Sequence, residues 1–196
     1  MFARSGLEHV AVPGRYGALT EALGVVIAPR TELALATVMA RAGKASELAH
    51  RAAAAFGIEL PLTPRRVNAG TVSFVWAGPD QWLAAMEHVD GHVFERKLRR
   101  DFAGLASVVD QSDGRSIIRV GGPKARETLA KGIPLDLDPR AFRVNAAALT
   151  IAGHINVHFW QVDETPSYEF AVFRSFGVAF WEWLLEASAE FGAVVE

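Results

Sequence analysis

The chain has 196 residues, 51% of them hydrophobic and 21% charged, with a net charge of −2 at neutral pH. This composition supports one large domain or two small packed halves, and argues against disorder and against a general nucleic-acid binder. With no cysteine there is no disulfide, thiolate metal site or thiol nucleophile, and the absence of an apolar signal core or spanning run leads us to expect a soluble cytoplasmic protein.

Residues 1–30 carry Pro13, Gly14, Gly17, Gly24 and Pro29 with little sustained period, and read as an irregular arm with one short strand at 25–28. So apolar an arm is expected to pack on its own domain or on a partner. Residues 32–39 alternate as a strand. Ala45, Leu48, Ala49, Ala52 and Phe56 then share one helical stripe over 44–56, and Gly57 stands where a left-handed cap belongs. Residues 71–76 form a strand with Val72, Phe74 and Trp76 on one face, and Ala77-Gly78-Pro79 is read as turning the chain into a helix through Met86. The basic run over 94–102 is read as a solvated helix or loop face, with an anion or partner contact by Arg96, Lys97, Arg99 and Arg100 as the lesser reading.

Residues 108–126 are the anchor of the pattern. A polar turn (Asp110, Gln111, Ser112, Asp113, Gly114) leads into a strand at 116–120, a Gly-Gly-Pro corner and a helix. Glycine permits positive φ there, and Pro123 suits a first helical turn, where its missing N–H is not needed. The Gly78-Pro79 turn is a weaker copy, which suggests two related halves, about 31–105 and 106–196. Gly132 and Pro134 close the helix, 135–142 is a loop, and 146–162 reads as two strands broken near Gly153. Tyr168, Phe170 and Val172 mark a last strand. A final helix follows, with Ser175 as N-cap, a stripe of Phe176, Phe180, Trp183, Leu184, Ala187 and Phe191, and a stop at Gly192. Trp181 and Leu185 lie off that stripe, so they face either the domain's own core or a subunit interface. The fold class is α+β.

Catalytic signatures are scarce. There is no G-x-G-x-x-G after a strand, no P-loop and no G-x-S-x-G elbow. His88 with His92, and His154 with His158, have i,i+4 spacing but lack the third ligand and general base of a metal site, so both pairs read as structural. Asp110 and Asp113 could be paired acids, but D-x-S-D-G before a strand is more often a turn bonding its own backbone.

The runs V-V-D-Q-S-D-G-R and V-G-G-P-K-A-R-E-T-L-A-K-G-I-P-L-D-L resemble the gamma subunit of heterotetrameric sarcosine oxidase. So do L-A-T-V-M-A-R-A-G, F-G-I-E-L-P, G-P-D-Q-W-L-A and Arg174-Ser175-Phe176 before the Trp-rich helix, in matching order over residues 33–192. The resemblance implies the folate-binding-like fold of the glycine-cleavage T-protein. Its D-x-S and G-P-x-A elements match Asp110, Ser112, Gly122, Pro123 and Ala125. The wider family's G-E-x-G-Y-E aligns on Tyr168-Glu169, placing Thr165 where the pterin-contacting glutamate stands, with Glu164 one residue out of register. Asp110, Glu164 and Tyr168 are thus the candidate cofactor-binding residues, and Arg174, Trp181 and Leu185 the candidate interface.

The family implies a complex that demethylates sarcosine to glycine. In it FAD, FMN, NAD and tetrahydrofolate reside in partner subunits, the partners are the alpha, beta and delta subunits, and this chain supplies no catalytic residue, metal or membrane segment. The alternative is an independent folate-binding enzyme of the aminomethyltransferase type, or a folate sensor.

Overall fold

In the computed structural model, which describes residues 6–18 and 23–196, the chain divides into two compact units. One is Glu32–Gly114; the other joins the described N-terminal residues to Arg115–Glu196. Residues 1–5 and 19–22 of the expected arm lie outside the described residues. The rest of that segment supplies two strands to the second unit, β1 (Gly14–Tyr16) and β2 (Val25–Pro29), and Leu7 enters its core.

The first unit comprises β3 (Leu33–Ala40), α1 (Ala45–Phe56), β4 (Arg66–Ala69), β5 (Val72–Gly78), β6 (Gln81–Glu87), α2 (Gly91–Asp101) and β7 (Ala106–Asp110). Its strands make one antiparallel sheet in the order β4-β5-β6-β3-β7. As the apolar stripe requires, α1 buries Leu48 and Ala52, and Gly57 ends it at φ 66° with its N–H on the Ala53 carbonyl. The basic run is helical. Asp90 caps α2 by accepting from the His92 and Val93 amides, while Phe94 and Leu98 face the core. Phe56 meets both Phe74 and Phe102 edge to face, and Phe74 and Phe102 lie tilted to one another at 6.3 Å, adding directional aromatic contacts to plain apolar burial.

The segment after Gly78-Pro79 departs from the expected helix and is strand β6. Asp80 takes φ 56° and the pairing slips between Trp76 and Gly78, so the chain reverses and returns along β5. Trp82 to Ala85 are all buried, which means that both faces of β6 are covered. A strand covered on both faces shows a continuous apolar run with no period of two, and such a run cannot be told from a buried helix by periodicity.

The second unit continues with β8 (Arg115–Gly121), α3 (Ala125–Ala130), β9 (Ala147–Ala152), β10 (Ile155–Asp163), β11 (Ser167–Phe173), α4 (Gly177–Ser188) and β12 (Ala193–Val195). Its sheet runs β1-β12-β2-β8-β11-β10-β9, antiparallel except for the parallel pair β12–β2. One face packs on the helices. Phe142 stacks on Phe159 at 4.9 Å, Phe159 on Phe170 at 5.0 Å, and Phe170 meets Phe180 of α4 at 5.2 Å.

Two boundaries differ from the sequence reading. Ser175 is not the N-cap of α4: it lies in a 3-10 turn, Arg174–Phe176, and the helix starts at Gly177 without a side-chain cap. The division between the units falls after Gly114 rather than near residue 105, because β7 pairs with β3 and belongs to the first sheet. The anchor segment therefore bridges both units, its polar turn closing one and its strand opening the other.

Candidate functional site

The D-x-S element is knotted into the first unit's backbone. Asp110 Oδ1 accepts from the Ser112 amide at 2.8 Å, an Asx turn of the expected kind. The Ser112 hydroxyl accepts from the Leu35 amide at 3.0 Å and donates to the Leu35 carbonyl at 3.3 Å, which ties the turn to β3. The other carboxylate oxygen, Oδ2, faces His92 Nδ1 at 3.4 Å. Gly91 allows this close packing at the start of α2: a Cβ there would collide with the Ser112 hydroxyl and come within 2.9 Å of Asp110 Oδ2. Both oxygens of Asp110 are thereby engaged, while Asp113 is exposed.

The turn between β10 and β11 is likewise self-bonded. Asp163 Oδ1 accepts from the Thr165 amide at 3.0 Å and from its hydroxyl at 2.7 Å. Burial disfavours the Asp163 anion, but hydrogen bonds from Thr165 and Ser167 outweigh it and hold the carboxyl below its ordinary pKa. A depressed carboxyl stabilises the folded turn above the ordinary carboxylate range, and that contribution is lost as pH falls through the depressed value. We expect an NMR titration to place the Asp163 midpoint below that of a free aspartate, and Asp163→Asn to reduce the acid sensitivity of the turn; a midpoint at or above the free value would contradict the geometry.

Thr165, which the sequence resemblance aligns with the wider family's pterin-contacting glutamate, spends its hydroxyl inside this turn, and Glu164 is exposed. Tyr168 is wholly buried. Its ring lies 6.3 Å from both Phe142 and Phe159, burial raises its phenol pKa, and Arg126 counteracts that rise. Of the three candidate cofactor contacts, Asp110 belongs to the first unit, and Glu164 and Tyr168 to the second.

The residue that sequence reasoning missed is Glu169. It is buried on the sheet face away from α4, where it pairs with Arg30, accepts from Arg119 Nη2 at 2.7 Å and accepts from Trp160 Nε1 at 3.0 Å. Strand alternation contained the signal, since Trp160, Glu169 and Arg119 occupy paired positions on β10, β11 and β8. Among the interface candidates, Trp181 is 1% exposed within the second unit's core, so its indole has no surface left for a partner. Leu185 packs partly against the same core, and Arg174 is exposed.

Neither histidine pair forms a ligand set. His88 and His154 sit exposed at positive φ in turns and His158 is buried in β10; among the described residues no group of three or more metal-binding side chains occurs. The cations of α2 are largely matched along the helix: Lys97 with Asp101 at 2.7 Å, Arg99 with Glu95 at 2.9 Å and Arg100 with Asp101 at 3.1 Å. No helix among the described residues is long and apolar enough to cross a membrane.

Comparison with known proteins adds the following. Residues 42–190 match the family described as "Sarcosine oxidase, gamma subunit family". The sarcosine oxidase subunit gamma of Arthrobacter sp is 33% identical, over 97% of this chain and 92% of its own length. A chain of the heterotetrameric sarcosine oxidase from Corynebacterium sp. U-96, solved with pyrrole 2-carboxylate, superposes with a TM-score of 0.81 at 28% identity, covering 97% of each chain. The glycine cleavage system aminomethyltransferase T of Bartonella henselae shares the fold at TM-score 0.65 and 12% identity, over 86% of this chain and 47% of its own.

Proposed function

This chain belongs to the sarcosine oxidase gamma subunit family, and on that premise we propose that it is the accessory subunit of a sarcosine oxidase. The observation that carries the reading is the near full-length match to a gamma subunit, seconded by superposition on a chain of a heterotetrameric enzyme. Its partners are the alpha, beta and delta subunits, and the assembly resides in the cytoplasm. The complex oxidatively demethylates sarcosine to glycine, passing the one-carbon unit to tetrahydrofolate and the electrons to oxygen. FAD, FMN, NAD and the folate are held by the larger subunits. The bonding of Thr165 and Asp110 supports this assignment, because the side chains that correspond to folate-site elements of the scaffold are spent on local turns.

Two measurements test it. Native co-purification with mass spectrometry should recover the chain with the three other subunits; recovery only as a free monomer would overturn the reading. Calorimetry of the isolated chain with tetrahydrofolate should show no micromolar binding. Micromolar binding that is lost in Asp110→Ala would instead establish an independent folate protein of the aminomethyltransferase type.

A further inference from the structure

We propose that the outer edge of β9, with the apolar corner beside it, receives an extended segment of a partner subunit as an added strand of the seven-stranded sheet. The inference rests on the accessory-subunit reading above and names the surface and the mode of contact.

Among the described residues, strand β9 is the last in its sheet and pairs with β10 alone. The Gln161 amide donates to the Ala146 carbonyl, and by alternation from that bond the amides and carbonyls of Leu149 and Ile151 point away from β10. Gly153, next in that outward series, donates to the Gly132 carbonyl, so the unpaired stretch ends there. The edge, Ala-Ala-Leu-Thr-Ile-Ala, has none of the lysine, proline or bulge by which proteins protect an open edge.

The side chains beside the edge are equally unprotected. Leu149 is 53% exposed, Ile151 42% and Phe173 47%. Register places them together. Ile151 pairs with Asn156, and Phe173 lies one step beyond the Val172–Val157 pair, hence opposite Asn156 on the same face. Farther along this face Trp160, Glu169 and Ala171 are buried, so the exposure is confined to one corner.

The charge of the corner selects the occupant. Arg115 pairs with Phe173 across β8–β11, its guanidinium lies 4.6 Å from the Phe173 ring, and its Nε is buried without a hydrogen bond. Arg174 follows exposed, so the corner carries two cations. A second copy docking edge to edge would bring the same two cations against these. An extended partner segment with alternating apolar residues and a carboxylate toward Arg115 satisfies the edge, the apolar corner and the charge together.

The test uses the full chain co-expressed with the source organism's alpha, beta and delta subunits. Amide exchange across β9 should slow at least tenfold on assembly relative to the isolated chain. The double variant Leu149→Lys/Ile151→Lys should lower complex yield at least tenfold with the isolated chain's unfolding midpoint unchanged, whereas Leu62→Lys, at an exposed apolar residue of the other unit, should assemble normally. Unchanged β9 exchange in the wild-type complex, or wild-type assembly by the double variant, overturns the proposal. Slowed β9 exchange in a homodimer of the isolated chain overturns it in favour of a second copy. Failure of the wild-type chain to join the other subunits overturns the accessory-subunit reading itself, and is distinguished by appearing before any variant is made.

Discussion

Glu169→Ala should destabilise the second unit by about 3–5 kcal/mol, the cost of removing one partner from a buried ion pair. Its carboxylate side chain is 6% exposed and that of Arg30 12%, so neither charge is well solvated. One carboxylate oxygen serves Arg30 and Arg119, and the other takes the Trp160 indole N–H. Truncation to alanine takes the buried carboxylate away from the Arg30 guanidinium and leaves the Trp160 indole N–H facing a void. Arg119 contributes less, because its side chain is 39% exposed and solvent screens the pair; Arg119→Ala should cost no more than about 1 kcal/mol. Urea denaturation of Glu169→Ala, Arg30→Met and the double variant separates pair from parts. We expect Arg30→Met to cost less in the alanine background than alone, since the charge it satisfies is already gone. A Glu169→Ala loss below about 1 kcal/mol would show that the network is not an ion-pair hub of the expected strength. The outcome bears on function as well: it would give Glu169 a scaffold role, tying β8, β10 and β11 together on one sheet face.

Two kinds of element were readable from the sequence: those with one wet face, and strands whose large side chains alternate. Helix α1 shows its period because Leu48 and Ala52 face the core while Glu47 and Arg51 face water, and Gly57 marks its end with the backbone conformation only glycine adopts cheaply. The strands of the anchor and of residues 155–173 are covered on both faces for much of their length, and were readable from their alternating large side chains instead. Strand β6 was hidden because Trp82, Leu83, Ala84 and Ala85 are covered on both faces. The strand roles of the N-terminal segment depend on long-range partners: β1 pairs with β12 at the other end of the chain, and no local pattern encodes that. The candidate site was legible in composition but not in bonding. That Asp110 and Ser112 form a turn followed from their types; that the turn closes on Leu35 and Gly91 required the fold. Glu169 escaped notice because a single charge in an apolar strand gives no hint of the two arginines that reach it from β8 and from the residue after β2.

Gly122→Ala should be the most damaging change in the anchor, at about 3 kcal/mol or more, as backbone strain of about 1–3 kcal/mol adds to overpacking of similar size. Gly122 has φ 106°, outside the reach of ordinary side chains, and a Cβ there would lie 2.7 Å from the Gly24 carbonyl oxygen and 3.2 Å from Val25 Cα. Both obstacles are backbone, so no rotamer change relieves them. The same Gly24 carbonyl accepts from the Lys124 amide at 2.9 Å, and Gly121 pairs with Val26. The corner is therefore where β2 is fastened to β8, and through β2 the parallel strand β12 is held. Gly57→Ala is the matched control. Gly57 also has positive φ, 66°, but a Cβ there meets nothing within 4 Å, so only the left-handed penalty of about 1–2 kcal/mol applies. Denaturation should separate the two variants, and amide exchange should locate the difference: in Gly122→Ala the β2 and β12 amides exchange faster than those of β10 and β11, whereas Gly57→Ala leaves the second unit's pattern unchanged. Equal losses in the two variants would mean that backbone conformation alone selects glycine at the corner. The larger loss at Gly122 would establish that the Gly-Gly-Pro signature records the point at which the N-terminal strands are seated in the sheet.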